Sequence, residues 1–273
     1  MPDYALVNSW DHARQRLNLF EQYHDPLSRR RLEELGVQPG WQCLDVGAGT
    51  GSVSRWLCRK VGSAGHVVAT DIDTRFLQEI SEPNLQIYHH DIRTDAFQVG
   101  KFDLVCARWI LHHLPHPERA VERMVTALRP GGWLLLEEVD FFPLGASASQ
   151  PYVDFMRALT TTVVACSGGN CLWARSLPEL LTKLGFAGIR AEADVAILRG
   201  GSPIAGFFQL TAAQMRERVI GSGALSAKLF DAGVDLLKDP DFWAFAGAAI
   251  GVWGKRPHRS ELRHIAKSRG RTD

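Results

Sequence analysis

The sequence predicts a doubly wound α/β domain built on a mostly parallel sheet, and three observations carry that expectation. Apolar runs of strand length alternate with segments of helical periodicity across residues 36–140. The first unit is a strand, WQCLDVG at 41–47, a glycine-rich turn and a helix, SVSRWLCRKVG at 52–62. The second apolar run, VVATDID at 67–73, ends in an acid, Asp71, where the strand tips of such sheets meet their ligands.

The elements follow in order. Residues 8–35 read as one or two N-terminal helices, because Trp10, Ala13, Leu17 and Phe20 recur at helical spacing and Pro26 interrupts the pattern. Strands are expected at 41–46, 66–71, 85–89, 102–107 and 132–139, and helices at 52–60, 74–80 and 117–128. In the first core helix Val53, Trp56, Leu57 and Val61 share one face and Gly62 ends it. Pro130, Gly131 and Gly132 lead from the last of these helices into the fifth strand. Beyond Asp140 the rhythm changes. A loop, FFPLGASASQP, precedes an apolar helix over 151–166, which SGGN at 167–170 breaks. A capped helix over 176–186, a strand over 189–200, two helical patterns within 202–238 and a closing strand at 243–254 complete the chain. Trp243 and Trp253 are expected beneath the sheet.

The glycine turn at 44–54, LDVGAGTGSVS, departs from the dinucleotide fingerprint G-x-G-x-x-G, because Ser52 stands where the third glycine belongs. What remains is D-x-G-x-G-x-G followed, twenty residues past Gly51, by Asp71. An acid there holds a ribose, so the expected ligand has a ribose and need not have a pyrophosphate.

DVGAGTG, VVATDID, HHDI at 89–92, FDLVCARWILHHL at 102–114 and ALRPGGWLLLEE at 127–138 together resemble the class I S-adenosylmethionine (SAM) dependent methyltransferases. Within that class the chain is most similar to the small-molecule enzymes of the ubiquinone/menaquinone-biosynthesis type and their bacterial natural-product relatives. The resemblance covers residues 36–140 and reaches a final strand near 243–254. It implies a seven-stranded, Rossmann-like sheet whose closing strand is antiparallel, with N-terminal helices at 1–35 covering the cofactor. The SAM-binding core would span 36–140. The rest of the sheet would lie within 141–254, with a helical substrate-binding lid at 141–175 and 202–238, and 255–273 would be a basic tail.

The resemblance also implies a site. Gly47, Gly49 and Gly51 would approach the amino-acid and ribose portions of SAM. Asp45 would meet its ammonium group or brace the loop, and Asp71 would accept from the ribose diol. Ile72 and Ile92 would flank the adenine, and Asp91 would accept from its amino group. Arg108 would line the methionine end; the alternative is a salt bridge to the N-terminal helix. Tyr23 would be a wall or a donor. His113 and His24 are the candidates for a general base, since an imidazole near neutrality can take a proton from an attacking hydroxyl. Asp140, at the end of the fifth strand, would orient the acceptor. Glu137 and Glu138 must face opposite ways, so at most one looks into the site. Phe207, Phe208, Leu210 and Met215 would line an apolar acceptor pocket or form the core of their own segment.

Composition narrows the class of function. With 273 residues and 45% hydrophobic content, the chain can bury one large core. No apolar stretch has membrane-spanning length, the N-terminus lacks the basic start and apolar region of a signal peptide, and five scattered cysteines do not suggest a disulfide framework. A cytoplasmic location without a membrane partner or a metal is therefore expected. Net charge is +1, yet residues 255–273 carry seven Lys/Arg against two acids, which leaves a slightly acidic body poorly matched to nucleic acid. The expected reaction is an in-line methyl transfer from SAM to O, N or C of a small, fairly apolar metabolite, in bacterial secondary or quinone-like metabolism. The alternatives are a SAM-binding protein that does not methylate (a cyclase, a decarboxylase or a regulator) and a nucleic-acid or protein methyltransferase. A homodimer is compatible with the sequence.

Overall fold

The computed structural model describes residues 4–257. Seven strands form one sheet: β1 (Gln42–Val46), β2 (His66–Asp71), β3 (Leu85–His89), β4 (Phe102–Arg108), β5 (Leu128–Asp140), β6 (Ala187–Arg199) and β7 (Trp243–Lys255). Their order is β3-β2-β1-β4-β5-β7-β6, with β1 to β5 parallel and β7 antiparallel to both β5 and β6. The expected doubly wound sheet with an antiparallel closing strand is present. Among the described residues seven α-helices flank it: α1 (Ala13–Glu34), α2 (Ser52–Val61), α3 (Pro117–Ala127), α4 (Gln150–Ala165), α5 (Leu177–Lys183), α6 (Pro203–Gly221) and α7 (Ala227–Lys238).

The apolar side chains divide into three bodies. The C-terminal end of α1 and the inner face of α2 pack on one side of the sheet through Leu32, Leu35, Leu57 and Val61. On the other side α3 and α5 pack through Val121, Met124, Leu177 and Leu181. A third body gathers α4, α6 and α7 around Val139, Ala244 and Ala246, the residues where β5 and β7 run past the shorter strands. Phe20 of α1 joins this third body.

Four expectations are corrected. Pro26 does not divide the N-terminal segment; it lies inside one 22-residue helix. A proline removes one backbone hydrogen bond, and side-chain bonds from Glu21, Asp25, Ser28 and Arg31 to other elements hold the helix on both sides of it. Residues 74–80 contain only a 3-10 turn at Leu77–Glu79, because the Asp71 and Asp73 carboxylates accept the amides of Asp73 and Arg75 and stabilise turns instead. β5 begins at Leu128, before the Pro-Gly-Gly run, which sits beside a register shift against β4. Trp253 is buried but Trp243 is 59% exposed, since β7 there has outrun β5 and pairs only with β6.

α1 is fixed by charge as well as by apolar contact. Arg31, 1% exposed, donates to Glu137 of β5, to Glu192 of β6 at 2.6 Å and to the Ala249 carbonyl of β7 at 3.3 Å. Gly251 opens the space: a Cβ there would lie 2.5 Å from Arg31 Nε. Arg256 past β7 donates to the Val125 carbonyl at 2.9 Å, and residues 258–273, most of the basic segment, lie outside the described residues. Among the described residues no helix is long and apolar enough to cross a membrane, and no cluster of His, Cys, Asp and Glu is arranged for a metal.

Truncating Arg31 leaves Glu137 buried without its cation. Arg31→Ala is therefore expected to lower the unfolding free energy by about 3–5 kcal/mol. Arg30→Ala, which removes only the exposed partner of Glu192, should cost less than about 1 kcal/mol. Urea denaturation of both variants compares the two; equal losses would show that the buried pair does not anchor α1.

Candidate active site

The glycine turn between β1 and α2 is built by necessity. Gly47, Gly49 and Gly51 all have positive φ, at 68°, 59° and 80°. A Cβ on Gly47 would sit 2.3 Å from Ile110 Cγ2, whereas one on Gly49 would meet nothing within 4 Å. Gly47 is thus closed against the protein, while Gly49 is free for a close approach from outside. Two bonds from α1 clamp the turn: Thr50 Oγ1 donates to Glu21, and Ser52 Oγ donates to Asp25 at 2.8 Å.

A cavity of about 210 Å³ opens above this turn, at the carboxyl ends of β1, β2 and β4. Asp45, residues 47–50, Asp71, Ile72, Asp91, Ile92 and Arg108 form one half of its wall. Asp71 Oδ2 accepts the Gly49 amide and Oδ1 the Asp73 amide, both at 2.9 Å. Burial holds its carboxyl above the usual range. Asp45 is deeper and accepts from Ser54 Oγ at 2.5 Å, and burial pushes its pKa up to about 6. Asp45 thereby braces α2 against β1 from the cavity wall. Asp91 carries Arg93 on its carboxylate, 2.7 Å from Nη2, and this pairing holds it below the usual range. Arg108 donates to Asp25 and Ser28 from Nη1 and to Ser52 from Nη2, each at 3.0 Å. Its salt bridge to the N-terminal helix is present, and a ligand carboxylate would share the guanidinium with Asp25.

The other half of the wall is apolar: Leu6, Phe20, Phe141, Leu159, Val163, Val164, Phe207 and Phe208, together with Trp109. α4 and α6 supply most of it. Of the insertion residues singled out in the sequence, Phe207 and Phe208 reach the cavity, while Met215 is fully buried in the helical core and Leu210 does not line the wall.

Four expected site residues do not reach the cavity wall. Gly51 is turned against the protein, where a Cβ would lie 2.3 Å from Ile80 Cδ1. Asp140 is fully buried, held by Arg175 Nε and Nη2 at 2.8 Å each and by the Phe142 amide at 2.9 Å. It shares a strand face with Glu138, and the alternation of β5 turns both away from Glu137. His24 is packed against Phe20, Tyr23 and Trp109, with ring centroids 4.3–4.9 Å apart, and its Nε2 has no partner. Burial and the charges of Arg108 and Arg31 hold it neutral, with its pKa well below the ordinary range. Tyr23 packs against the helical body instead of the cavity. His113 does line the wall; its Nδ1 has no partner, and burial with nearby His112 and Arg16 lowers its pKa well below the ordinary range.

The sequence reading placed Glu138 at a strand end but gave neither it nor Trp109 a role in shaping the middle of the site. Glu138 accepts the amides of Ile110, Leu111 and His112 at 2.7–3.3 Å and lies 2.5 Å from His112 Nδ1. It pins the turn after β4, where Trp109 takes φ 58°, a strained backbone for a bulky side chain. Its amide donates to the Glu137 carbonyl at 2.8 Å, and its ring stands edge-on to Phe20 at 4.9 Å. Arg16 and Tyr4 also enter the wall. A signal for Arg16 was present: it precedes Phe20 and His24 at four-residue spacing on the buried face of α1.

Residues 44–136 match the model of a methyltransferase domain family. This stretch of the chain is similar to methyltransferase domains. Over 123 residues the chain is 33% identical to the ubiquinone/menaquinone biosynthesis C-methyltransferase of Ectopseudomonas mendocina, a match covering 42% of this chain and 48% of that protein. It is 26% identical to an uncharacterized 37.1 kDa protein of transposon TN4556 from Streptomyces fradiae, covering 78% of this chain and 62% of that protein. The chain thus spans about half to three-fifths of the length of these relatives. The YcgJ protein of Bacillus subtilis shares the fold with a TM-score of 0.59 at 16% identity, over 86% of this chain and all of that one. The matched methyltransferase domain ends inside β5, so the helices over the apolar half of the cavity lie beyond it.

The raised pKa of Asp45 has a consequence for this domain. The carboxyl stays protonated in the folded state up to about pH 6 but ionises near 3.9 when unfolded, so the native state binds the extra proton. Stability is then lost as pH rises from about 4 through 6. Asp45→Asn removes this dependence. Its stability relative to the wild type should rise by about 2–3 kcal/mol between pH 4 and pH 7.5. Paired denaturation curves at the two pH values test this; a difference independent of pH would show that Asp45 is ionised throughout.

Proposed function

We propose that this protein moves a methyl group from SAM to a small, largely apolar acceptor. The observation that carries the proposal is Asp71 beside the open Gly49 at the tip of β2: two half-buried carboxylate oxygens, each already holding one amide, with capacity left for two donors. A ribose diol has that donor pattern. Ile72, 42% exposed, and Ile92 offer apolar contact to a base, with Asp91 beside them. The backbone of residues 47–50 and the acids Asp45 and Glu21 suit the zwitterionic end. The donor set and the glycine cradle therefore fit SAM. When bound, SAM supplies a methyl carbon whose bond to sulfur breaks with its electron pair left on sulfur, giving a neutral thioether.

The protein's own share is position and exclusion of water. α1 closes over the glycine turn through Glu21 and Asp25, and α4 and α6 form a lid over the apolar half, where the acceptor would lie. His113, neutral and without a partner at Nδ1, lines the cavity and would take a proton from an acceptor hydroxyl. The names of the quinone-pathway relatives favour a ring-bearing acceptor, and the slightly acidic body does not suit nucleic acid. A cytoplasmic enzyme of quinone-like or natural-product metabolism is the setting that accords with these features.

Calorimetric titration tests the donor. SAM and S-adenosylhomocysteine should bind at micromolar concentration and NADH should not, and Asp71→Ala should weaken SAM by about tenfold or more. A wild-type protein that ignores SAM would overturn the proposal, and unchanged affinity in Asp71→Ala would remove the diol assignment. His113→Ala should lower turnover with SAM affinity intact.

A further inference from the structure

Arg16 is a charge on the cavity wall that the methyl-donor half does not use. Its side chain is almost fully buried, at 2% exposure. Among the described residues no carboxylate pairs with it; its partners are the Leu6 carbonyl, at a long 3.4 Å from Nη2, and the Tyr4 side chain, and Nε has no partner. Tyr4 and His113 stand beside it on the same wall, their rings edge-on at 5.0 Å, and His113 Nδ1 also lacks a partner. A buried guanidinium without an anion is costly, and the usual compensation is a carboxylate or a phosphate.

The helix shows which side of the cavity Arg16 serves. Glu21 and Asp25 of α1 reach the glycine turn. Arg16 lies five residues before Glu21, about 140° around the helix, so it points away from that turn. On its side Leu19 approaches Gly206 of α6, and Phe20 lies 5.5 Å from Phe207. The helix thus turns the guanidinium toward the side of the cavity that Phe20 and Phe207 line, beside Tyr4, which also feels the Asp71 carboxylate. Nε and Nη2 form one edge of the guanidinium, and two parallel N–H groups on one edge match the two oxygens of a carboxylate.

We propose that the acceptor is an apolar, ring-bearing carboxylate, held at its carboxylate by the Nε–Nη2 edge of Arg16 while its ring lies against Phe20 and Phe207. The proposal rests on the methyltransferase reading and names the acceptor class of that site. It gives Tyr4 a role as a neighbour of the carboxylate, and it leaves the reacting atom to the ring or its substituents.

The test is binding, with S-adenosylhomocysteine present. Benzoate, 2-naphthoate and 4-phenylbenzoate are titrated against their neutral amides by calorimetry. The wild type should prefer at least one carboxylate to its amide by about tenfold or more, and Arg16→Met should abolish that preference with S-adenosylhomocysteine affinity unchanged. A wild type with no preference for any carboxylate overturns the proposal. So does a loss of S-adenosylhomocysteine affinity in Arg16→Met, which would put the guanidinium on the donor. If Arg16→Met does not fold, Arg16→Lys decides: it keeps the charge, loses the planar edge, and should reduce the preference about threefold or more; an unchanged preference overturns the proposal. Failure of the wild type to bind S-adenosylhomocysteine is a separate result and counts against the donor reading.

Discussion

The placement of α1 is the constraint on which the site depends. One helix carries Glu21 and Asp25 to the glycine turn, Ser28 and Arg31 to Glu137, and Phe20 to the helical body. Arg108 joins the first two groups by donating to Asp25, Ser28 and Ser52 together. A shift of α1 would break a buried ion pair, unclamp the turn and withdraw Phe20 and Arg16 from the wall in one motion. Networks of this kind are costly to half-satisfy, so α1 has one favourable position on the sheet.

β5 passes that constraint across the sheet. Glu137 and Glu138 face opposite ways, as the alternation of a strand requires, and each is a hub. Glu137 holds α1, while Glu138 gathers the amides of Ile110, Leu111 and His112 and sets the turn in which Trp109 adopts its left-handed backbone. The strain at Trp109 is offset by this over-determination, and its ring lines the cavity against Phe20 and Phe207.

The sheet and the donor half were legible in the sequence because they follow from local rules. Period-two runs, a glycine turn that needs positive φ and an acid at a strand tip can each be recognised without knowing what lies opposite. Asp140, His24 and Tyr23 were misjudged because their roles depend on partners distant in the chain. Asp140 occupies a strand end suited to a ligand, but Arg175, 35 residues on, takes both its oxygens. His24 sits on the right helix, one turn beyond the cavity, where Phe20 and Trp109 enclose it. Pro26 was read as a break for the same reason: propensity is local, whereas the bonds that hold α1 together on both sides of it are tertiary.

The cavity is electrically divided, and the division has a chemical use on the proposed reading. Asp45, Asp71 and Glu21 stand on the donor half, and on the proposed placement Arg16 serves the other. A cationic donor suits the first half and an anionic acceptor the second. Bringing such a pair together in a site screened from water strengthens their attraction, and transfer of the methyl group diminishes the charge on the donor. Acids close to the sulfonium would favour the ground state as well as the transition state. Those in this site are instead committed to the Gly49 amide, to Ser54 and to Thr50, which keeps them at the ends of the donor where its charge does not change. Arg16 is similarly tied to the acceptor's fixed carboxylate and not to the atom that reacts. Both charged contacts then act as positioning, and the apolar wall of Phe20, Trp109 and Phe207 surrounds the place where the bond is exchanged.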